Sequence, residues 1–151
     1  MTRCLMEIRP FQPEDQSAAK ALILDGLVEH WGWLDESKNP DLVDIAASYA
    51  DGLFLVGIEA GRLIGTGALK PVSDNMFEIV RMSVARDCRR RGYGRDLLKA
   101  LIQAAREKGA TQVICETTST WMEVIQFYES YGFTRTHENG GDTYFMLLLD
   151  A

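Results

Sequence analysis

Arg89-Arg90-Arg91-Gly92-Tyr93-Gly94-Arg95 stands directly ahead of a helical repeat of apolar residues. Four guanidinium groups and two glycines at such a junction suit a ligand with several phosphates. The first amides of a helix have no intrahelical partner and point outward at the positive end of its dipole. Glycine removes the side chains that would hold a ligand off the backbone. Arginine adds charge-assisted hydrogen bonds, about twice as strong as neutral ones. A purely structural basic turn is the poorer reading, because each cation at a helix N-terminus costs about 0.3–1 kcal/mol. No lysine-serine or lysine-threonine pair follows the glycines, so this is not a Walker loop. Gly92-Tyr93-Gly94 is followed by Leu97, so the dinucleotide fingerprint fails as well.

Other residues could also do chemistry. Glu78 is a carboxylate within a strand otherwise rich in apolar residues, and Glu116 ends the next one. Each could serve as a base, and each could be a satisfied strand acid. His30-Trp31-Gly32-Trp33 places two indoles around a glycine. That group could form an apolar wall attractive to a cation, or an aromatic cluster sealing a helix end. His30 and His137 are the two histidines, and neither has cysteines or carboxylates at ligand spacing, so no metal site is expected. The nucleophile elbow of serine hydrolases, G-x-S-x-G, does not occur.

The elements that must position these residues follow from periodicity. Leu5 to Arg9 alternates as a strand. Pro13-Glu14-Asp15 opens a helix whose apolar residues are Ala18, Ala21, Leu22, Leu24 and Val28, and Asn39-Pro40-Asp41 opens a short second one. Leu53–Ile58 and Leu63–Leu69 form a hairpin, and Phe77–Val84 is a long strand. Residues 93–108 form a helix striped by Leu97, Leu98, Leu101, Ile102 and Ala105. Gln112–Glu116 is a strand. Thr120-Trp121-Met122-Glu123 has capping-box form and starts a helix running to about Ser130. Phe133–His137 and Tyr144–Leu149 close the chain as strands. The order is mixed α/β, read as one domain over residues 1–151.

Composition narrows the function. Net charge is -6, which argues against nucleic acid as the main partner. No apolar run reaches the roughly 20 residues of a membrane helix, and no secretory leader is evident. Three cysteines without C-x-x-C spacing fit a reducing cytoplasm better than a disulfide framework.

Arg89-x-x-Gly92-x-Gly94 resembles the [QR]-x-x-G-x-[GA] coenzyme A signature of the GNAT acetyltransferases. Phe77–Val84 resembles that family's fourth strand, and the run from Val124 to Phe133 resembles its A-x-x-x-Y-x-x-x-G-F segment. The resemblance covers essentially the whole chain. It implies the GNAT fold: a mostly antiparallel twisted sheet of about seven strands, splayed between the fourth and fifth, with about four helices. It also implies acetyl transfer from acetyl-CoA, without a metal, to a primary amine by direct attack through a tetrahedral intermediate. The resemblance assigns the pyrophosphate to amides of Arg90, Arg91, Gly92, Tyr93, Gly94 and Arg95, with Arg89 supporting the loop. The pantetheine arm is expected along Met82, Ser83 and Val84, and the oxyanion at the amide of Met82. Tyr128 stands where the family's tyrosine acid stands, although its aromatic stripe is a sufficient reason for it. Glu78, Glu116 or a water relay is the base.

His30, Trp31 and Trp33 fall where the family builds one wall of the acceptor pocket. Trp121 departs from the family pattern, which has an asparagine contacting the coenzyme arm there. Trp121 is expected to pack on the cofactor or cover the acceptor site. The acceptor is expected to be a small amine or amino-acid-like molecule. A peptide N-terminus or lysine, and a non-catalytic acyl-CoA-binding module, stay open, as does a homodimer.

Overall fold

The computed structural model describes residues 6–33 and 36–149. Seven strands form one sheet in the order β1-β2-β3-β4-β5-β7-β6. They are β1 Glu7–Pro10, β2 Leu53–Glu59, β3 Arg62–Ser73, β4 Met76–Val84, β5 Gln112–Thr118, β6 Thr134–Asn139 and β7 Asp142–Leu148. The helices are α1 Gln16–Trp31, α2 Ile45–Ser48, α3 Tyr93–Glu107 and α4 Met122–Tyr131. Every pairing is antiparallel except that of β4 with β5. The expected fold class is therefore present.

Successive residues of β2 face opposite layers. Phe54 and Val56 join Ala19, Ile23, Leu42, Ile45 and Tyr49 on the α1 side. Leu55 joins Phe77, Ile79, Val113, Cys115 and Phe145 beneath α3 and α4. A strand covered on both faces reads as a continuous apolar run, as residues 53–58 do. Leu97, Leu98 and Leu101 of α3 are fully enclosed. Each contributes about 1.5–3 kcal/mol by leaving water.

Several boundaries differ from the sequence expectations. Helix α1 continues through His30 and Trp31 and stops at Gly32, whose φ of 77° suits a residue without Cβ. The stripe that α1 buries contains Ala19 and Ile23, while Ala18, Ala21 and Val28 are exposed. Apolar residues all round this helix hid which face turns inward. The second helix splits into a turn at Pro40–Leu42 and the single turn α2, whose N-terminus Asp44 caps at Ala47 N. The expected capping box of Thr120 and Glu123 does not form. Trp121 occupies the N-cap position without a side-chain bond, because a turn from Thr118 O to Trp121 N brings the chain into α4. Leu5 and Cys4 lie outside the described residues.

Candidate active site

Strand β4 carries the geometry that matters most. It pairs with β5 at three positions, Met76–Gln112, Phe77–Val113 and Glu78–Ile114. Beyond Glu78 the pairing ends among the described residues, while β4 continues to Val84 and β5 to Thr118. The two strands diverge into a gap. On its other edge β4 stays paired with β3, but the register shifts between Thr66–Ser83 and Ala68–Val80. Arg81 and Met82 thus oppose Gly67 alone, which is a β-bulge. Arg81 takes φ 56°. A Cβ at Gly67 would lie 2.7 Å from Met82 Sδ and 2.8 Å from Leu101 Cδ1, so a side chain there would require both to shift.

The bulge orients one peptide. Thr66, wholly buried, donates its hydroxyl to the Arg81 carbonyl at 2.7 Å. In a trans peptide the carbonyl and the following N–H point opposite ways. The Met82 N–H is therefore directed away from the Thr66 hydroxyl. Ser83 turns its side chain to α1, with its hydroxyl beside Gly26. Met82 and Val84 pack against the α3 layer.

The arginine loop follows β4 after a short turn at Arg86–Cys88. Arg90 and Gly92 take positive φ, 65° and 83°. Gly92 is the N-cap of α3 and offers no side chain to its first amides. The loop's charges divide into two kinds. Arg89 donates to Val84 O at 3.1 Å and to Glu29 at 2.5 Å. Arg91 meets Glu59 at 3.3 Å, and the Tyr93 hydroxyl bonds the same carboxylate. Arg86 pairs with Glu29 and, at 3.4 Å, with Asp25. These guanidiniums hold the loop to α1 and β2. Arg95 instead lies over the Tyr131 ring at 5.1 Å.

Tyr128 is buried on α4 against Phe127, Phe133 and Phe145, with ring centroids 5.3–5.6 Å apart. Burial pushes its phenol up, and the neighbouring Cys115 thiol adds to this. Glu78 is half-buried. Burial and then the charge of Glu116 push its carboxyl up, against a smaller pull from Lys70, its partner across β3. Glu116 pairs across the sheet with Tyr144, whose phenol it raises.

The His30 ring meets Trp121 with centroids 3.8 Å apart, and Trp31 meets Trp121 at 5.8 Å. Trp121 Nε1 is buried and is the one such side-chain polar atom without a hydrogen-bond partner among the described residues. Trp33 stands apart, exposed, with the Lys38 ammonium 5.7 Å from its ring. The last turns of α1 adjoin the end of β4 through Gly26 and Glu29. Trp121 follows β5. The His30–Trp121 contact therefore joins the end of α1 to the segment that follows β5. A cavity of about 40 Å³ lined by Lys20, Leu24, Asn39, Leu42 and Val43 includes none of these residues.

A strand pair that opens beside a bulge, with an uncapped helix N-terminus at its end, is a distinctive arrangement, and comparison with known proteins finds its relatives. The sequence model of the acetyltransferase (GNAT) family matches residues 20–133. The chain belongs to the GNAT acetyltransferase family. The Xenopus laevis protein named "Probable N-acetyltransferase camello" is 31% identical over 115 residues, covering 72% of this chain and 52% of its own. N-acetyltransferase family 8 member 2 of Rattus norvegicus is 32% identical over 103 residues, covering 64% of this chain and 46% of its own. The chain thus spans about half the length of the curated relatives it matches. Among solved structures, a GNAT acetyltransferase from Staphylococcus aureus Mu50 superposes with a TM-score of 0.89 at 20% identity, over 97% of this chain and all of that one. The PaiA N-acetyltransferase of Thermoplasma acidophilum, solved in complex with coenzyme A, gives 0.84 at 18%, over 96% and 99%. These likenesses establish the GNAT fold.

Thr66, Arg81, Asp41, Glu29 and Glu59 escaped the sequence reading. Arg81 had a signal: a guanidinium in a largely apolar strand must find a partner if it is buried. Among the described residues no three His, Cys, Asp or Glu side chains gather to hold a metal ion, and no helix is long and apolar enough to cross a membrane.

Proposed function

We propose that this GNAT chain transfers an acetyl group from acetyl-CoA to the primary amine of a small or amino-acid-like acceptor. The observation that carries this reading is the β4–β5 gap, which opens onto the uncapped N-terminus of α3. An extended arm with amide groups can pair with the free edge of Met82–Val84 as an added strand does. The amides of Tyr93, Gly94 and Arg95 then meet a pyrophosphate at the positive end of the helix. Arg90 and Arg95 add charge, while Arg89 and Arg91 fix the loop through Glu29 and Glu59.

The Met82 N–H serves the oxyanion that develops as the amine attacks the thioester carbon. Glu78 accepts the proton that the amine loses, and its raised carboxyl makes it a better base than an ordinary glutamate. The Tyr128 phenol, kept protonated by burial, supplies a proton to the departing thiolate. Cleavage of the thioester C–S bond and formation of the C–N bond complete the transfer. The aromatic contact of His30 with Trp121 narrows the mouth of the gap, which favours a small acceptor over a peptide.

The test is calorimetry with acetyl-CoA followed by a panel of amines, with free thiol as the readout. Heat of binding and thiol release with at least one small amine are expected. Absence of binding removes the reading altogether. Binding without thiol release for any amine makes the protein an acyl-CoA-binding module instead.

A further inference from the structure

Arg81 has no part in the chemistry just outlined, yet its backbone is strained and its side chain well partnered. Its φ of 56° lies in the left-handed region, costly for a residue with a side chain. Its guanidinium makes a two-pronged contact with Asp41, Nη2 to Oδ1 at 2.6 Å and Nε to Oδ2 at 3.0 Å. Nη2 also donates to Asn39 Oδ1 at 3.0 Å. The Tyr49 hydroxyl donates to Asp41 Oδ2 at 2.6 Å. Arg81 and Asp41 are both largely withdrawn from water, where a charge pair persists only if well hydrogen-bonded. Burial alone would raise the Asp41 carboxyl, but the bonds from Arg81 and Tyr49 outweigh it and hold the group ionised.

The segment carrying Asp41 is itself fixed. Gln16 of α1 donates to Leu42 O at 2.7 Å and accepts from Ile45 N at 3.0 Å. The Arg81 side chain is therefore tied to a hydrogen-bonded segment of the α1 layer, while Thr66 of β3 donates to its carbonyl. We infer that Arg81 is a positioning residue: clamped by Asp41 and Asn39, it holds the 81–82 peptide so that the Met82 N–H stays aimed into the β4–β5 gap. This rests on the acetyl-transfer reading for its consequence in rate. A small misplacement of a donor to developing charge costs about a hundredfold, and losing the donor costs about 10²–10³.

Arg81→Gly and Asp41→Asn test the clamp, because glycine accepts the left-handed φ without strain and asparagine preserves the shape of Asp41. Each is expected to lower kcat by about tenfold to a hundredfold, with the acetyl-CoA dissociation constant unchanged within about threefold. The double variant is expected to be no slower than Arg81→Gly alone, since both remove one unit. Wild-type kcat in the folded single variants, or additive losses in the double, overturns the inference. Nitrogen-15 relaxation of the unliganded protein reads the clamp without turnover. The Met82 amide is expected near an order parameter of about 0.85 in the wild type and below about 0.6 in Asp41→Asn. An unchanged order parameter overturns the clamp whatever the enzyme does. Failure of the wild-type protein to release thiol would instead count against acetyl transfer.

Discussion

Glu78 and Glu116 face the same side of the sheet at the point where β4 and β5 part. Glu78 pairs with Ile114, and Glu116 lies two residues further along β5, so both side chains project from one face. Their mutual repulsion, after burial, keeps the Glu78 carboxyl above its ordinary value. The acid limb of kcat/KM is therefore expected to have a midpoint above the usual glutamate range. Glu116→Gln removes a neighbouring negative charge and moves that midpoint down. Glu78→Gln abolishes the limb, and a pH–rate profile unaltered by it would assign the base elsewhere.

The same group gives a stability dependence of definite sign. Because its pKa is higher folded than unfolded, the folded chain holds this proton more tightly. Its contribution is most favourable below the unfolded value and declines as pH rises through the folded one. Glu78→Gln is expected to flatten that decline in thermal melts recorded from the ordinary glutamate range upward.

How far the sequence carried the reading depended on the kind of signal. The junction of the glycine-arginine loop with α3 was legible because glycine spacing and helix onset are local. The stripe of Leu97, Leu98, Leu101, Ile102 and Ala105 was legible because Arg95, Asp96, Lys99, Gln103 and Arg106 mark the opposite face of α3. The inward face of α1 was not, because Ala21 and Val28 on its outer side are as apolar as Ala19 and Ile23 on its inner one. Nor was the Arg81–Asp41 pair, which joins residues 40 positions apart through a bulge that shifts register without marking the strand's composition. The division of the loop arginines was hidden for the same reason, since Glu29 and Glu59 are distant in sequence.

Tyr128→Phe keeps the ring contacts with Phe133 and Phe145 and removes only the hydroxyl. Turnover is expected to fall by about 10²–10⁴, the usual worth of a positioned acid, with coenzyme affinity retained. Full turnover in single-turnover thiol assays would leave the residue a purely packing role.

Two glycines of the loop are expected to behave differently. A Cβ at Gly92 meets nothing within 4 Å, but φ 83° makes any side chain there strained. Gly92→Ala should cost about 1–2 kcal/mol of stability, read as a lower Tm. A Cβ at Gly94 would sit 3.7 Å from Phe127 and Val84, an ordinary contact. Gly94→Ala should leave Tm nearly unchanged and weaken acetyl-CoA binding by about tenfold or more, the worth of a lost charge-assisted bond. Equal effects of the two on calorimetric affinity would argue against a backbone phosphate cradle.

His30→Ala and Trp121→Ala break the contact between the end of α1 and the segment after β5. An aromatic pair is worth about 0.5–1.5 kcal/mol, so acceptor KM is expected to rise about twofold to tenfold in either variant. Steady-state kinetics at saturating acetyl-CoA measure this, and an unchanged KM would remove these rings from the acceptor wall.

Only three rungs join β4 to β5, so the sheet is two half-sheets meeting at a short seam. In the proposed function a guest lying along that seam supplies further rungs from outside the polypeptide. On that reading its departure leaves the halves joined by those three rungs and by the core they share, and the reactant finishes building the sheet.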